Sequence, residues 1–188
     1  MKIIFESDSI SIATTLRKGT PKINGVFFRD IKEKVLGKGY ELSLVFVGTD
    51  RMRQLNKKHR GKDYATDILS FDLDDLSGEF ADHDCDCGDD HDHNHDEGHG
   101  DSDSGHIHGG HEVFIKNARE LKFSTGEILI NPEKARSKAK QFDRSFDNYI
   151  KFLFVHGLMH LKGHDHEDDK DAERMEKAEK SIRQAFKI

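Results

Sequence analysis

The sequence is organised around one stretch, residues 156–166, which reads His156-Gly157-Leu158-Met159-His160-Leu161-Lys162-Gly163-His164-Asp165-His166. If the residues that lead into it are helical, His156 and His160 project from one face of the helix, because they lie four residues apart. Gly163 follows three residues after the second histidine, where a left-handed glycine can end a helix and let the chain bring His166 back to the same point. The spacing therefore predicts three imidazoles that converge at the end of a helix.

Three neutral imidazoles are a ligand set for a tetrahedral zinc ion whose fourth position is open to water, as in hydrolytic zinc sites. The alternative is that these are ordinary surface histidines after a core helix. The order of two histidines, a turn glycine and a third histidine favours a catalytic metal site instead. Metzincin proteases share the spacing and carry a glutamate base after the first histidine, where this chain has Gly157. A peptidase built this way would lack its base, so the zincin geometry is expected without peptidase chemistry.

Length and composition predict one soluble domain. The chain has 188 residues, two prolines and 13 phenylalanines, and it contains no apolar run long enough to span a membrane. Its N-terminus has no long apolar region or cleavage pattern, so a cytoplasmic location is expected. Cys85 and Cys87 are the only cysteines, and a pair separated by one residue forms no disulfide framework.

Residues 74–112 differ in composition from the rest of the chain. They hold 14 Asp and Glu, eight of the 13 histidines, both cysteines and no Lys or Arg. Without periodic apolar residues the segment is predicted to be a disordered low-complexity insertion within a single domain of residues 1–188. Its His and Cys tracts either bind additional metal weakly or are plain solvated polar sequence.

Removing that segment leaves a basic body. Of the 36 acidic residues 22 remain against all 30 basic residues, a balance of +8. A positive body suits a partner made of phosphates, although a balance of this size is also common on solvated surfaces.

Periodicity predicts strands over residues 2–6, 42–47, 68–71 and 126–131 and helices over residues 24–36, 143–162 and 167–187. A further helix should carry Met52 and Leu55 towards Arg60, and another should start at Pro132 with Asn131 as its cap and Phe142 facing the core. Residues 113–124 are compatible with a loop or an extra element. The middle of the helix over residues 143–162, at residues 152–155, is apolar on nearly all sides, so this helix should run through the centre of the domain.

With these pieces in order, the chain resembles the YbeY family of zinc-dependent endoribonucleases that mature ribosomal RNA. Three stretches carry the resemblance: residues 55–63 with Thr66-Asp67-Ile68-Leu69-Ser70-Phe71, residues 126–130, and residues 156–166. The last stretch matches the family pattern H-G-x-x-H-L-x-G-x-D-H at every fixed position. The resemblance covers the chain except the acidic insertion, which could screen or compete for a basic RNA groove.

The resemblance implies an α+β fold in which helices pack on a small mixed β-sheet, with a zincin-like three-histidine site at the end of the central helix. It implies that His156, His160 and His166 are catalytic and bind one zinc ion per chain, and that Arg60 is the family's functionally important arginine beside the metal. On the sequence alone, an ordinary solvated charge at a helix end is the favoured interpretation of Arg60. Asp165 either orients a histidine from behind or caps the following helix.

The function implied is a single-strand-specific endoribonuclease for 3′-end maturation of small-subunit ribosomal RNA and for ribosome quality control. Its expected partners are ribosomal RNA precursors and the ribosome or its small subunit with its proteins, with no membrane and no DNA. His164 is expected to be a spare surface histidine. The alternatives are a non-catalytic metal-binding ribosome assembly factor and, less favoured because of Gly157, a metalloprotease-like hydrolase.

Overall fold

The computed structural model describes residues 1–16, 18–74, 124–164 and 168–188. These residues contain five strands and five helices in the order β1 (Lys2–Ser7), β2 (Ile10–Thr14), α1 (Gly25–Leu36), β3 (Glu41–Phe46), α2 (Thr49–Arg60), β4 (Ile68–Asp72), β5 (Thr125–Ile130), α3 (Pro132–Gln141), α4 (Phe146–Leu161) and α5 (Asp169–Phe186). None of these helices is long and apolar enough to cross a membrane.

The strands form one mixed sheet in the order β1-β2-β3-β5-β4. The three central strands β2, β3 and β5 are parallel, while β1 and β4 pair antiparallel at the two edges. The predicted α+β class with a small mixed sheet is therefore confirmed. The residues just before β4 and just after β5 meet at one edge of the sheet, where the Asn131 amide donates to the Asp67 carbonyl at 2.9 Å.

Side chains alternate along the strands, so the two faces of the sheet pack against different helices. On one face Leu44 and Ile128 belong to the main core, which also receives apolar side chains from α1, α3, α4 and α5. On the other face Val45 and Leu129 pack with Met52 and Leu55 of α2. The helix that carries His156 and the helix that ends at Arg60 thus lie on opposite faces of the sheet.

Helix α4 is the central helix, as predicted. It packs against α1, α3, α5 and strands β4 and β5. The Ser145 side chain caps its first turn by accepting from the Asn148 amide at 3.2 Å. At its other end Gly163 has φ +85, its amide donates to His160 O at 2.9 Å, and the His164 amide donates to Met159 O at 3.0 Å. These bonds form a Schellman motif, so the predicted left-handed glycine is confirmed.

Several boundaries differ from the sequence-based expectations. Strand β2 was not predicted, and the helix expected over residues 143–162 begins only at Phe146, because Ser145 caps it. Phe142 was expected in the core but is 59% exposed at the end of α3. The last helix begins at Asp169 rather than residue 167, with Asp168 as its cap. Asp168, and not Asp165, is therefore the N-cap of this helix. Residues 75–123, with nearly all of the predicted insertion, lie outside the described residues.

Candidate active site

His156 and His160 lie on one face of α4 with their ring nitrogens turned towards each other. Their Nε2 atoms are 3.2 Å apart, and the rings are nearly perpendicular, with an interplanar angle of 85°. Both side chains are half-buried at the end of the helix. The predicted convergence of the first two histidines is confirmed.

The separation of the two nitrogens fits a zinc ion. Zinc binds histidine nitrogen at 2.0–2.1 Å, so two nitrogens of one tetrahedron lie about 3.3 Å apart. Within the described ranges no group of three His, Cys, Asp or Glu side chains could hold a metal ion. His166, the predicted third ligand, falls in residues 165–167 outside those ranges, so the complete three-histidine site stays a prediction.

Glu179 of α5 supports His156 from behind. Its Oε1 lies 2.8 Å from His156 Nδ1, and Glu179 is only 7% exposed. Because a carboxylate only accepts, Nδ1 carries the proton in the neutral imidazole, and the Nε2 lone pair is then directed to the site. Carboxylates commonly fix metal-binding histidines in this way. Orienting a histidine in this way was one of the two roles considered for Asp165, which lies outside the described residues, so that role of Asp165 stays a prediction.

Gly157 occupies the position where metzincin proteases have their glutamate, and here that position faces the sheet. A Cβ at Gly157 would come within 2.9 Å of Ile128 Cδ1 and 3.1 Å of Ile68 Cδ1. The helix and the sheet therefore approach closely because residue 157 has no side chain. A glutamate there would have to displace β4 and β5 side chains, which weighs against the metalloprotease alternative.

Arg60 is the last residue of α2, exposed on the other face of the sheet, and Gly61 ends the helix with φ +67. In the part of the chain that the structure describes, no hydrogen bond or salt bridge joins Arg60 to His156 or His160. Residues 61–67 connect Arg60 to the edge of the histidine site. The role of Arg60 beside a metal ion therefore remains a prediction.

A groove of about 450 Å³ leads along α4 to His156. It is lined by side chains from the start of β4 and the residue before it, from α3 and the α3–α4 connection, and from one face of α4. Among them are Asp67, Lys138, Phe142, Arg144, Phe152 and His156. Aromatic rings follow one another at each turn along this face of α4. The ring centroids of His156 and Phe152 are 6.2 Å apart, and those of Phe152 and Tyr149 are 5.8 Å apart. The groove thus combines aromatic and basic side chains beside the candidate metal ligands.

Asp67 is a buried carboxylate in the wall of this groove that accepts several side-chain hydrogen bonds. It is 4% exposed and accepts hydrogen bonds from Lys138 Nζ at 2.8 Å, from the Tyr149 hydroxyl at 3.0 Å and from Thr66 Oγ1 at 3.2 Å. Burial alone would raise the pKa of Asp67, but the hydrogen bond and charge of Lys138, together with a backbone hydrogen bond and the Tyr149 hydroxyl, outweigh burial and lower the pKa. Burial and the Asp67 charge raise the pKa of Tyr149, so the tyrosine keeps its proton and donates it to Asp67.

Sequence reasoning missed Glu179 and the groove residues. One signal for Glu179 was available, because it follows Met175 by four residues and precedes Ile182 by three, which places a carboxylate in the apolar stripe of α5. Asp67 was quoted within a family motif without a role. The grouping of Lys138, Arg144 and Phe152 depends on the packing of α3 against α4, and no local pattern predicts it.

Comparisons with known proteins lead to the same family as the resemblance seen in the sequence. The family model described as Endoribonuclease YbeY matches residues 3–187. The chain is 33% identical to Endoribonuclease YbeY of Alkaliphilus metalliredigens over 143 residues, which are 76% of this chain and 68% of the relative. It is 30% identical to Endoribonuclease YbeY of Bacillus cytotoxicus over 148 residues, which are 79% and 74% of the two chains.

Among solved structures, the solution structure of the Thermotoga maritima protein TM1509 matches with a TM-score of 0.45 and 19% identity, over 95% of this chain and 91% of the other. The family model spans nearly the whole chain, including the predicted histidine ligands and the acidic insertion. The chain belongs to the YbeY endoribonuclease family.

Proposed function

We propose that this member of the endoribonuclease class is metal-dependent and cuts single-stranded segments of ribosomal RNA precursors, with one zinc ion held by His156, His160 and His166. The observation that carries the proposal is the pair of Nε2 atoms 3.2 Å apart, with Glu179 behind His156. A zinc ion bound there would supply a Lewis acid for a phosphate oxygen of the scissile bond.

The side chains of this protein then have distinct tasks. Glu179 holds His156 in one tautomer and orientation. Arg60 contacts phosphate oxygens through its guanidinium fork and neutralises charge that accumulates in the transition state. Lys138 and Tyr149 keep Asp67 ionised and fixed at the wall of the groove. The nucleophile is a ribose 2′-hydroxyl or a water molecule, and both require the same surrounding residues.

The finer role proposed is maturation of the 3′ end of small-subunit ribosomal RNA, together with ribosome quality control, in the cytoplasm and in contact with the small subunit. Support comes from the family and from a body that is basic outside residues 74–112. The eight histidines and two cysteines of that segment are proposed to bind additional metal weakly.

Cleavage of a single-stranded precursor fragment tests the proposal. The fragment should span the 3′ end of the small-subunit RNA and be incubated with the purified full chain, with and without chelator, beside the His156→Ala variant. Cutting that requires metal and is lost in the variant is expected. A 2′,3′-cyclic phosphate at the product end would identify the 2′-hydroxyl as nucleophile. No cutting by folded, zinc-loaded protein would refute the nuclease and favour a non-catalytic assembly factor.

A further inference from the structure

The groove beside His156 contains an exposed ring that stacks on a buried one. Phe142 is 59% exposed, and its ring stacks on Tyr149 with 6.2 Å between centroids and 14° between planes. Tyr149 is itself 4% exposed and fixed by its hydrogen bond to Asp67. Single exposed apolar side chains are common on proteins, but this one stacks on a second ring that is buried and hydrogen-bonded.

Two arginines lie beside Phe152, another ring that lines the groove. The Arg144 guanidinium carbon lies 5.0 Å from the Phe152 ring centroid, and that of Arg183 lies 5.4 Å from the same ring. Neither arginine forms a salt bridge with another side chain in the described ranges. The carboxylate that lines the groove, Asp67, is buried and bound by Lys138. Among the described residues that line the groove, Arg144 therefore presents an exposed cation, while the Asp67 carboxylate is covered.

A row of rings runs from Phe142 to His156, one of the candidate metal ligands. Phe142 stacks on Tyr149, which contacts Phe152 at 5.8 Å, and Phe152 stacks on His156 with 6.2 Å between centroids and 23° between planes. A chain molecule that places one unit on Phe142 can therefore continue along Arg144 and Phe152 to His156. A polymer with flat apolar groups and negative charges matches this row of rings and the Arg144 guanidinium.

We propose that Phe142 and Arg144 form a nucleotide subsite, in which an unpaired RNA base stacks on Phe142 and an adjacent phosphate binds Arg144. The proposal rests on the proposed function, because the polymer that the site cuts is then RNA. Aromatic rings bind bases of any sequence through their faces, and guanidinium groups bind phosphate oxygens in a fork. Bases within a duplex have no free face, so this subsite would select single strands.

Binding of a fluorescein-labelled RNA oligonucleotide to the full chain in chelator tests the subsite without cleavage. Phe142→Ala should weaken binding of the single strand about 10-fold, Phe142→Trp should restore it, and binding of a duplex of the same sequence should stay unchanged. Arg144→Ala should reduce the salt dependence of binding by about one phosphate contact. Ile3→Ala is the control, because Ile3 is 51% exposed on β1, at the opposite edge of the sheet from β4.

The outcomes separate the subsite from the function. Wild-type affinity of Phe142→Ala for single-stranded RNA, while the wild type binds and cuts it, would overturn the subsite and leave the nuclease intact. An equal loss for single strand and duplex would also overturn it, because stacking requires a free base face. If the wild type neither binds nor cuts single-stranded RNA, both the subsite and the proposed function are wrong.

Discussion

The hydrogen bond between Glu179 and His156 makes a quantitative prediction about metal affinity. Glu179 Oε1 lies 2.8 Å from His156 Nδ1, and the glutamate is 7% exposed, so its charge acts on the imidazole with little solvent between them. Loss of such a supporting carboxylate typically weakens metal binding by about 10- to 100-fold, or roughly 1.4 to 2.7 kcal/mol. We expect Glu179→Ala to lie near the upper end of this range.

The glutamine variant separates charge from geometry. Glu179→Gln retains an oxygen that can accept from His156 Nδ1 but removes the negative charge, so its loss of zinc affinity should be nearer 10-fold. Zinc affinity is measured by competition with a chelator at fixed pH, and thermal unfolding of the same samples verifies that they are folded. Glu173→Gln is the matched control on α5, because Glu173 is exposed and pairs only with Lys177 among the described residues. Wild-type zinc affinity in folded Glu179→Ala would refute the proposed role of Glu179.

Three further predictions concern other parts of the molecule. Arg60→Glu should reduce RNA cleavage at least 10-fold with unchanged zinc content, measured by initial rates and metal analysis; undiminished cleavage would remove Arg60 from the site. Burial raises the pKa of Glu127 from 4.5 to about 7 despite the nearby Arg51, so the folded chain holds a proton that the unfolded chain releases between these values. The free energy of unfolding should therefore fall as pH rises from 4.5 and level off above about pH 7, by at most about 3 kcal/mol. Glu127→Gln should abolish this fall in denaturant titrations; an unchanged pH profile would contradict it. Gly157→Glu should destabilise the fold by about 1–3 kcal/mol through contact with Ile128, without creating peptidase activity; a stable variant would refute the close approach.

The sequence predicted the central helix and the positions of two candidate metal ligands because both depend on local spacing. His156 and His160 are one helical turn apart, and Gly163 ends the helix whatever packs around it. Strand β2 was missed because its five residues follow a two-residue turn after β1 and were absorbed into a stretch without a clear period. Local spacing was therefore sufficient to place His156 and His160 on one face of the helix and to predict where the helix ends.

The remainder of the site depends on tertiary packing. Glu179 reaches His156 from a helix 23 residues further along the chain, and Asp67 meets Tyr149 across 82 residues. Phe142 was assigned to the core by its periodicity, but α3 ends there and the chain turns into α4. Contacts of this kind are fixed by how α3, α4 and α5 pack, which a helical period does not encode.

The histidines at the end of α4 are proposed to hold the metal that RNA cleavage requires. The direct test measures zinc per chain and the rate of single-stranded RNA cleavage in His160→Ala and in the matched control His164→Ala, whose histidine lies four residues further on. We predict that His160→Ala loses both tight zinc binding and cleavage while His164→Ala retains both. Zinc bound at wild-type affinity by His160→Ala, or cleavage that continues without it, would contradict the account.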